Sequence, residues 1–195
     1  MIDLTNPAKA DDDHTIVRSI HQEVDGAWRR LRGAAEIETV DVQVWADEID
    51  YNTETEFAEA RGNVRYVNRQ TNETMRCDRM EFNRATGMGK FFKVSGTSPA
   101  KIDVRPGLLM TSNPFYFEGD WAEKIRENVK GTLRDRYVLH RGFITDCKLP
   151  RPTWILKGPK FDIVPGQRAI GYRSVYRLRG VPLFYAPVLY KSVRR

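Results

Sequence analysis

Two cysteines in 195 residues, Cys77 and Cys147, form no Cys-x-x-Cys pair and no Cys/His cluster, so a zinc site of ordinary spacing is excluded. They can pair with each other, stay reduced, or pair with cysteines outside the chain. His14, His21 and His140 are scattered, and no G-x-S-x-G nucleophile motif occurs. The acidic run Asp47, Glu48, Asp50, Glu54, Glu56 lacks the D-x-D-x-D-G order of a calcium loop. Neither an enzyme nor a metal or cofactor is expected. No run of eighteen apolar residues is present, which excludes a transmembrane helix. The N-terminus has no basic stretch leading into an apolar core, so no signal peptide is visible. The expectation is a cytosolic protein, or one whose leader is missing from this sequence.

What is present favours β structure. Fourteen glycines, ten prolines and frequent Val, Ile, Tyr and Phe suit strands and tight turns better than helices. The length suits one domain or two small ones with a real core. The net charge of +6 conceals a gradient: residues 1–60 carry 15 acidic and 5 basic side chains, and residues 124–195 carry 4 acidic and 17 basic. Such asymmetry fits an anionic partner such as nucleic acid or a lipid surface. It fits equally well a set of Arg and Lys side chains alternating with apolar ones on solvated strand faces. Nucleic acid is the distant alternative, because no recognition helix, zinc finger or RNP-type aromatic motif accompanies the basic residues.

Trp45 to Val67, WADEIDYNTETEFAEARGNVRYV, is the organising unit. Ile49 and Tyr51 alternate with polar neighbours, as do Val64 and Tyr66, which is the period of a half-buried strand. Asn52 to Glu56 supplies turn residues, and Gly62-Asn63 marks a bulge. Variants recur. Ala46-Asp47-Glu48-Ile49 is echoed by Cys77-Asp78-Arg79-Met80, by Ala122-Glu123-Lys124-Ile125 and by Gly158-Pro159-Lys160-Phe161. Asp47, Asp78, Glu123 and Pro159 are then equivalent positions. Hairpins that cannot bury an apolar face alone predict stacked β layers, a rolled sheet or jellyroll. Ala27 to Gly33 and Glu118 to Lys130 have some helical character, but the repeat and its flanks favour strand for both. Residues 1–15, with Asp11-Asp12-Asp13, are expected to be a disordered lead-in, and Thr97 to Pro114 a crossing between layers. Residues 16–180 form the domain, and 181–195 a linker.

ADEIDYN followed by EARGNV resembles the hairpin repeat of the OstA-like family, found in the lipopolysaccharide transport proteins LptA, LptC and LptD. The ordered set Thr145-Asp146-Cys147, Trp154-Ile155-Leu156 and Val181-Pro182-Leu183-Phe184-Tyr185-Ala186-Pro187 is similar to the LptD branch, just before its outer-membrane barrel. The resemblance covers roughly Ala35 to Tyr190. It implies an all-β, V-shaped OstA-like jellyroll of stacked antiparallel hairpins that ends at the entry to a β-barrel absent from this chain. It implies binding of lipopolysaccharide through lipid A and its transfer, without catalysis, at the periplasmic face of the outer membrane. The implied partners are an LptA-like bridge joined by edge-strand pairing, with Ala34 to Trp45 as the docking edge, and an LptE-like lipoprotein reached through the barrel. A soluble LptA-like bridge component is the alternative. The expected lipid-facing positions are Ile49, Tyr51, Val64, Tyr66, Met80, Phe82, Phe92, Val94, Ile125, Phe161 and Ile163; the same side chains would also fill a closed core. The resemblance pairs Cys147 with a cysteine of the missing barrel and gives Cys77 no counterpart, leaving it the role of a buried apolar thiol.

Overall fold

The computed structural model describes residues 16–69, 72–98, 114–129, 131–164 and 167–192. The expected lead-in at 1–15 and most of the Thr97–Pro114 crossing lie outside the described residues. The described chain is all β. Twelve strands form one open antiparallel sheet: β1 (Ile16–Arg18), β2 (His21–Asp25), β3 (Trp28–Glu38), β4 (Val42–Asn52), β5 (Phe57–Asn68), β6 (Glu73–Asn83), β7 (Met88–Ser98), β8 (Phe115–Val129), β9 (Thr132–Thr145), β10 (Trp154–Val164), β11 (Arg168–Leu178) and β12 (Val181–Ser192). From β3 onward each strand pairs with the next in sequence, and β1 and β2 lie end to end along the outer side of β3. Both segments with helical character are strand, within β3 and β8. Residues 181–192, expected as a linker, form the last strand, with Pro182 and Pro187 on an edge where a missing amide is tolerated.

Ala35, Ala60, Phe91 and Val94 are 0% exposed and Ile49, Val64, Tyr66 and Phe161 are 1%. One face of a flat sheet cannot be dried so completely, so the sheet rolls over that face in the manner of a jellyroll. The hydrogen bond from the Tyr137 hydroxyl to Glu73, 3.2 Å, joins β9 to β6 across two intervening strands. Three strand spacings would be roughly 14 Å in a flat sheet, so the contact fits a tight curl.

A line of bulges crosses the sheet. Left-handed backbone occurs at Gly33-Ala34 in β3, Gly62-Asn63 in β5, Lys93 in β7, Arg141 in β9 and Arg173 in β11. All lie at one level, because the residues just before them fall in a single cross-strand row: Arg32, Glu48, Arg61, Arg79, Phe92, Trp121, His140, Lys160 and Tyr172. A left-handed non-glycine residue costs about 1–2 kcal/mol, so five aligned instances are held by the pairing on both sides. Where the strands cross this line the inward period of two is broken, except in β3 and β5, whose two successive left-handed residues keep Leu31 in step with Ala35 and Ala60 with Val64. Inward residues of β4 are therefore Val44 and Ala46, then Ile49; those of β6 are Met75 and Cys77, then Met80.

The bulge line also corrects the repeat register. Gly119-Asp120-Trp121-Ala122, not Ala122 to Ile125, is the third copy, since Trp121 pairs with Phe92 and Ala122 with the buried Phe91. The expected docking edge, Ala34 to Trp45, is interior: β3 is covered by β1 and β2, and β4 by β5. The free edges of the described sheet are β1–β2 and β12, and both expose apolar side chains, among them Val24 at 65% and Val188 at 61%.

Candidate functional site

The inner face begins with the expected residues. Ile49, Val64, Tyr66, Met80, Val94 and Phe161 are at most 3% exposed and belong to one continuous core, with Phe82 and Ile163 half-buried against it. Tyr51 follows Ile49 on the same face and is half-buried. Tyr66 meets Phe91 edge-on with ring centroids 5.8 Å apart, and burial pushes its phenol up to about 12. These side chains are close-packed, as in a filled interior.

Two expected positions face the other way. Phe92 pairs with Arg79 and Trp121 on the outer face, where the Arg79 guanidinium lies 5.1 Å from its ring centroid; Phe91 takes the inward place. The bulge at Lys93 separates Phe92 from Val94, so a period of two counted through it puts both on one face when they are on opposite faces. Ile125 stands opposite Arg136, which hydrogen-bonds Asp162 and Glu127, and is also outward. Its inward assignment came from the misplaced third repeat.

Several inner-face residues had no place in the sequence-based set. Phe117, Ile144, Trp154, Tyr176 and Leu189 pack on the core yet stay partly open. Trp154 stacks on Tyr176 (5.7 Å), and Tyr176 on Phe184 (5.0 Å), making an aromatic ladder across β10, β11 and β12 that ends at the free edge with Phe184 half exposed. The repeat pattern missed it because these rings sit at the ends of their strands, beyond the repeated core of each hairpin. The W-x-L motif was the available signal.

At one end of the roll the inner face turns polar. Lys124, 5% exposed, places its ammonium 3.0 Å from Asp135, and Arg126 donates to the same carboxylate at 3.0 Å. Burial tends to raise the Asp135 pKa, but Arg126 and Lys124 outweigh it and hold the carboxyl below its usual range. Burial, reinforced by Glu73, keeps the Tyr137 phenol protonated, so it donates to Glu73. Glu73, Arg126, Asp135 and Tyr137, together with Leu133 and Arg134, line a hollow of about 340 Å³. The charged groups of the cluster are thus tied to one another by ion pairs and a hydrogen bond.

The T-x-C motif has a structural role. Thr145 is fully buried; its hydroxyl donates to the Trp154 carbonyl at 2.6 Å and accepts the Cys147 amide at 3.0 Å. One side chain thereby pins both ends of the loop between β9 and β10. Both thiols are free. Cys77 is buried, and that burial pushes its thiol up to about 12; Cys147 is half-buried beside Asp146.

On the outer face, the carboxylates of the N-terminal third meet arginines across the strands. Asp50 accepts from Arg32 at 2.6 Å and from Arg61, and Glu59 pairs with Arg61 (3.0 Å) and Arg79 (2.9 Å). Much of the charge is thus solvated strand surface.

No protein-family model matches the chain. Among curated proteins it is similar to the LPS-assembly protein LptD of Burkholderia lata, 29% identical over 164 residues, covering 80% of this chain and 17% of that protein. It is likewise similar to LptD of Burkholderia ambifaria (27% over 166 residues; 81% and 18%) and of Paraburkholderia xenovorans (26% over 160 residues; 81% and 18%). The similarity to LptD thus runs over about four-fifths of the chain. The chain spans less than a fifth of the length of these relatives, so what they do as whole proteins does not transfer to it by similarity alone.

Proposed function

We propose that this chain is a non-catalytic domain that handles lipopolysaccharide at the periplasmic side of the outer membrane, taking up the lipid A portion and passing it on. The observation that carries the reading is the rolled sheet itself. Its inner face carries a continuous apolar core from β3 to β10, turns polar at the Lys124–Asp135 end, and stays partly open along the Trp154–Tyr176–Phe184 ladder at the free β12 edge. Burying an acyl chain there is worth about 0.8 kcal/mol per methylene. The similarity to LptD over four-fifths of the chain supports the same substrate class.

Residues fully enclosed in the core, Ile49, Val64 and Phe161 among them, meet lipid only if the roll parts. The first contacts therefore fall on Phe82, Phe117, Ile163, Tyr176 and Phe184. The free β1–β2 and β12 edges of the described sheet are where further β domains would add by strand pairing, an LptA-like bridge at one and an outer-membrane barrel with an LptE-like lipoprotein at the other. The Cys147 thiol is available for a cysteine outside this chain.

The test is a photo-crosslinking residue placed singly at Phe82, Phe117 and Phe184, with Phe92 and Val188 as outer-face controls. Lipopolysaccharide adducts are expected at the first three and not at the controls. Equal labelling of both groups, or labelling of the controls alone, would refute the reading.

A further inference from the structure

The outer face carries an unbalanced basic hollow that the acyl-chain reading does not use. Arg65 in β5 and Arg76 in β6 stand directly opposite each other, an arrangement of like charges that ordinarily weakens a sheet. The neighbouring pair Arg61 and Arg79 faces off in the same way, but Glu59 bridges them at 3.0 and 2.9 Å. No such carboxylate serves Arg65 and Arg76 among the described residues: Arg65 lies 5.0 Å over the Trp45 ring instead. Lys93 enters from β7 at the bulge. Its ammonium is 3.5 Å from Asp120, whose other oxygen is taken by Arg141 at 2.7 Å, and its side chain is 68% exposed.

These three cations line a concavity of about 390 Å³ together with Asn63, Ser95 and a single carboxylate, Asp78. Within the lining three positive charges stand against one negative, and Asp120, just outside it, is shared between Lys93 and Arg141. The bulges at Gly62-Asn63 and Lys93 open the space between the strands, and the Ser95 hydroxyl, opposite Arg76, adds a neutral donor. Paired residues with all three cations lining one hollow let two guanidinium forks and an ammonium converge on a tetrahedral oxyanion, the Arg65 fork by swinging off the Trp45 ring. A dianion bound there would convert a repulsive pair into a bridged one, as Glu59 does one row away.

We propose that this hollow binds a phosphate monoester, carried on a saccharide or free in solution. The site is separate from the apolar inner face, and probes without acyl chains address it alone. The experiment is an amide NMR titration of the protein with glucose 1-phosphate, inorganic phosphate and glucose at constant ionic strength. Saturable shifts are expected at residues 63–65, 76–78 and 93–95 with the phosphates and not with glucose. Tighter binding of glucose 1-phosphate identifies a saccharide-borne group; equal binding identifies free phosphate. Replacing both Arg65→Gln and Arg76→Gln should weaken binding at least about tenfold without lowering the unfolding midpoint, since a repulsive pair is removed. Arg61→Gln, whose charge is already matched, should leave affinity unchanged. Shifts spread evenly over all basic surface residues, or an affinity indifferent to the double substitution, would overturn the proposal.

Discussion

Adjacent phenylalanines in β7 offer the sharpest test of how this sheet is faced. Phe91 is 0% exposed and packs edge-on against Tyr66, while Phe92, one residue on, lies on the outer surface between Arg79 and Trp121. Truncating Phe91 to alanine removes a whole ring from a close-packed interior that cannot collapse, because the bulge at Lys93 and the pairing with Met80 and Ala122 hold the backbone. The cost is about 3–5 kcal/mol. Phe92→Ala forfeits one cation–π contact and cross-strand packing at a half-exposed site, about 1 kcal/mol in all. In urea, with a slope near the upper end of roughly 1–3 kcal/mol per molar, Phe91→Ala lowers the midpoint by about 1.5 M and Phe92→Ala by less than about 0.5 M. The slope itself should not change. Comparable losses for the two, or a larger loss at Phe92, would mean that the inward parity of β7 is reversed and the bulge line misread.

Asp135→Asn leaves the Lys124 ammonium enclosed without its counter-charge and should cost about 2 kcal/mol at neutral pH, toward the low end because Asp135 is 31% exposed. The Asp135 pKa is depressed in the fold, so its contribution is present above the unfolded value of about 3.9 and is lost as the pH falls through the folded value. The gap between wild type and Asp135→Asn should therefore close in acid denaturation curves below about pH 4; a gap that persists there contradicts the pairing. Gly142→Ala forces a methyl group into the Glu118 carbonyl and within 2.9 Å of the Gly119 backbone, and should cost about 3 kcal/mol by thermal or urea unfolding; a neutral outcome would show that β8 and β9 can part freely. A thiol reagent should modify Cys147 promptly in the folded protein and Cys77 only after denaturation, because the latter is buried and protonated. Rapid modification of both thiols would place Cys77 on an accessible surface.

Strand identity and the repeated hairpin were legible because alternation survives wherever one face is buried: Ile49 with Tyr51, Val64 with Tyr66, and Met80 with Phe82 lie on one side of their bulges and face as expected. Facing failed where the count ran through a bulge, as between Phe92 and Val94. A glycine announces the bulge in β5, but Lys93, Arg141 and Arg173 adopt left-handed backbone with nothing in their side chains to signal it. The third repeat failed for a related reason. Asp120 sits at the bulge between Gly119 and Trp121, but the small residue there is a glycine and the following apolar residue an alanine, which is too weak a match to stand out against Ala122 to Ile125.

The edges were illegible for a different physical reason. Ala34 to Trp45 and Ile16 to Asp25 carry similar alternation, and only pairing decides which is covered; β1 and β2 are short, interrupted at Ser19-Ile20, and take the outside place. The break has a use. Ile20 reaches over Gly33, whose missing side chain leaves room at the bulge, so the edge strand bends along the same line as the rest of the sheet. An edge that follows the bend can add another strand without kinking it, whereas β12 meets the bend with Pro187 and has one fewer amide to donate. The two free edges of the described sheet are thus unequal in the backbone hydrogen bonds they offer.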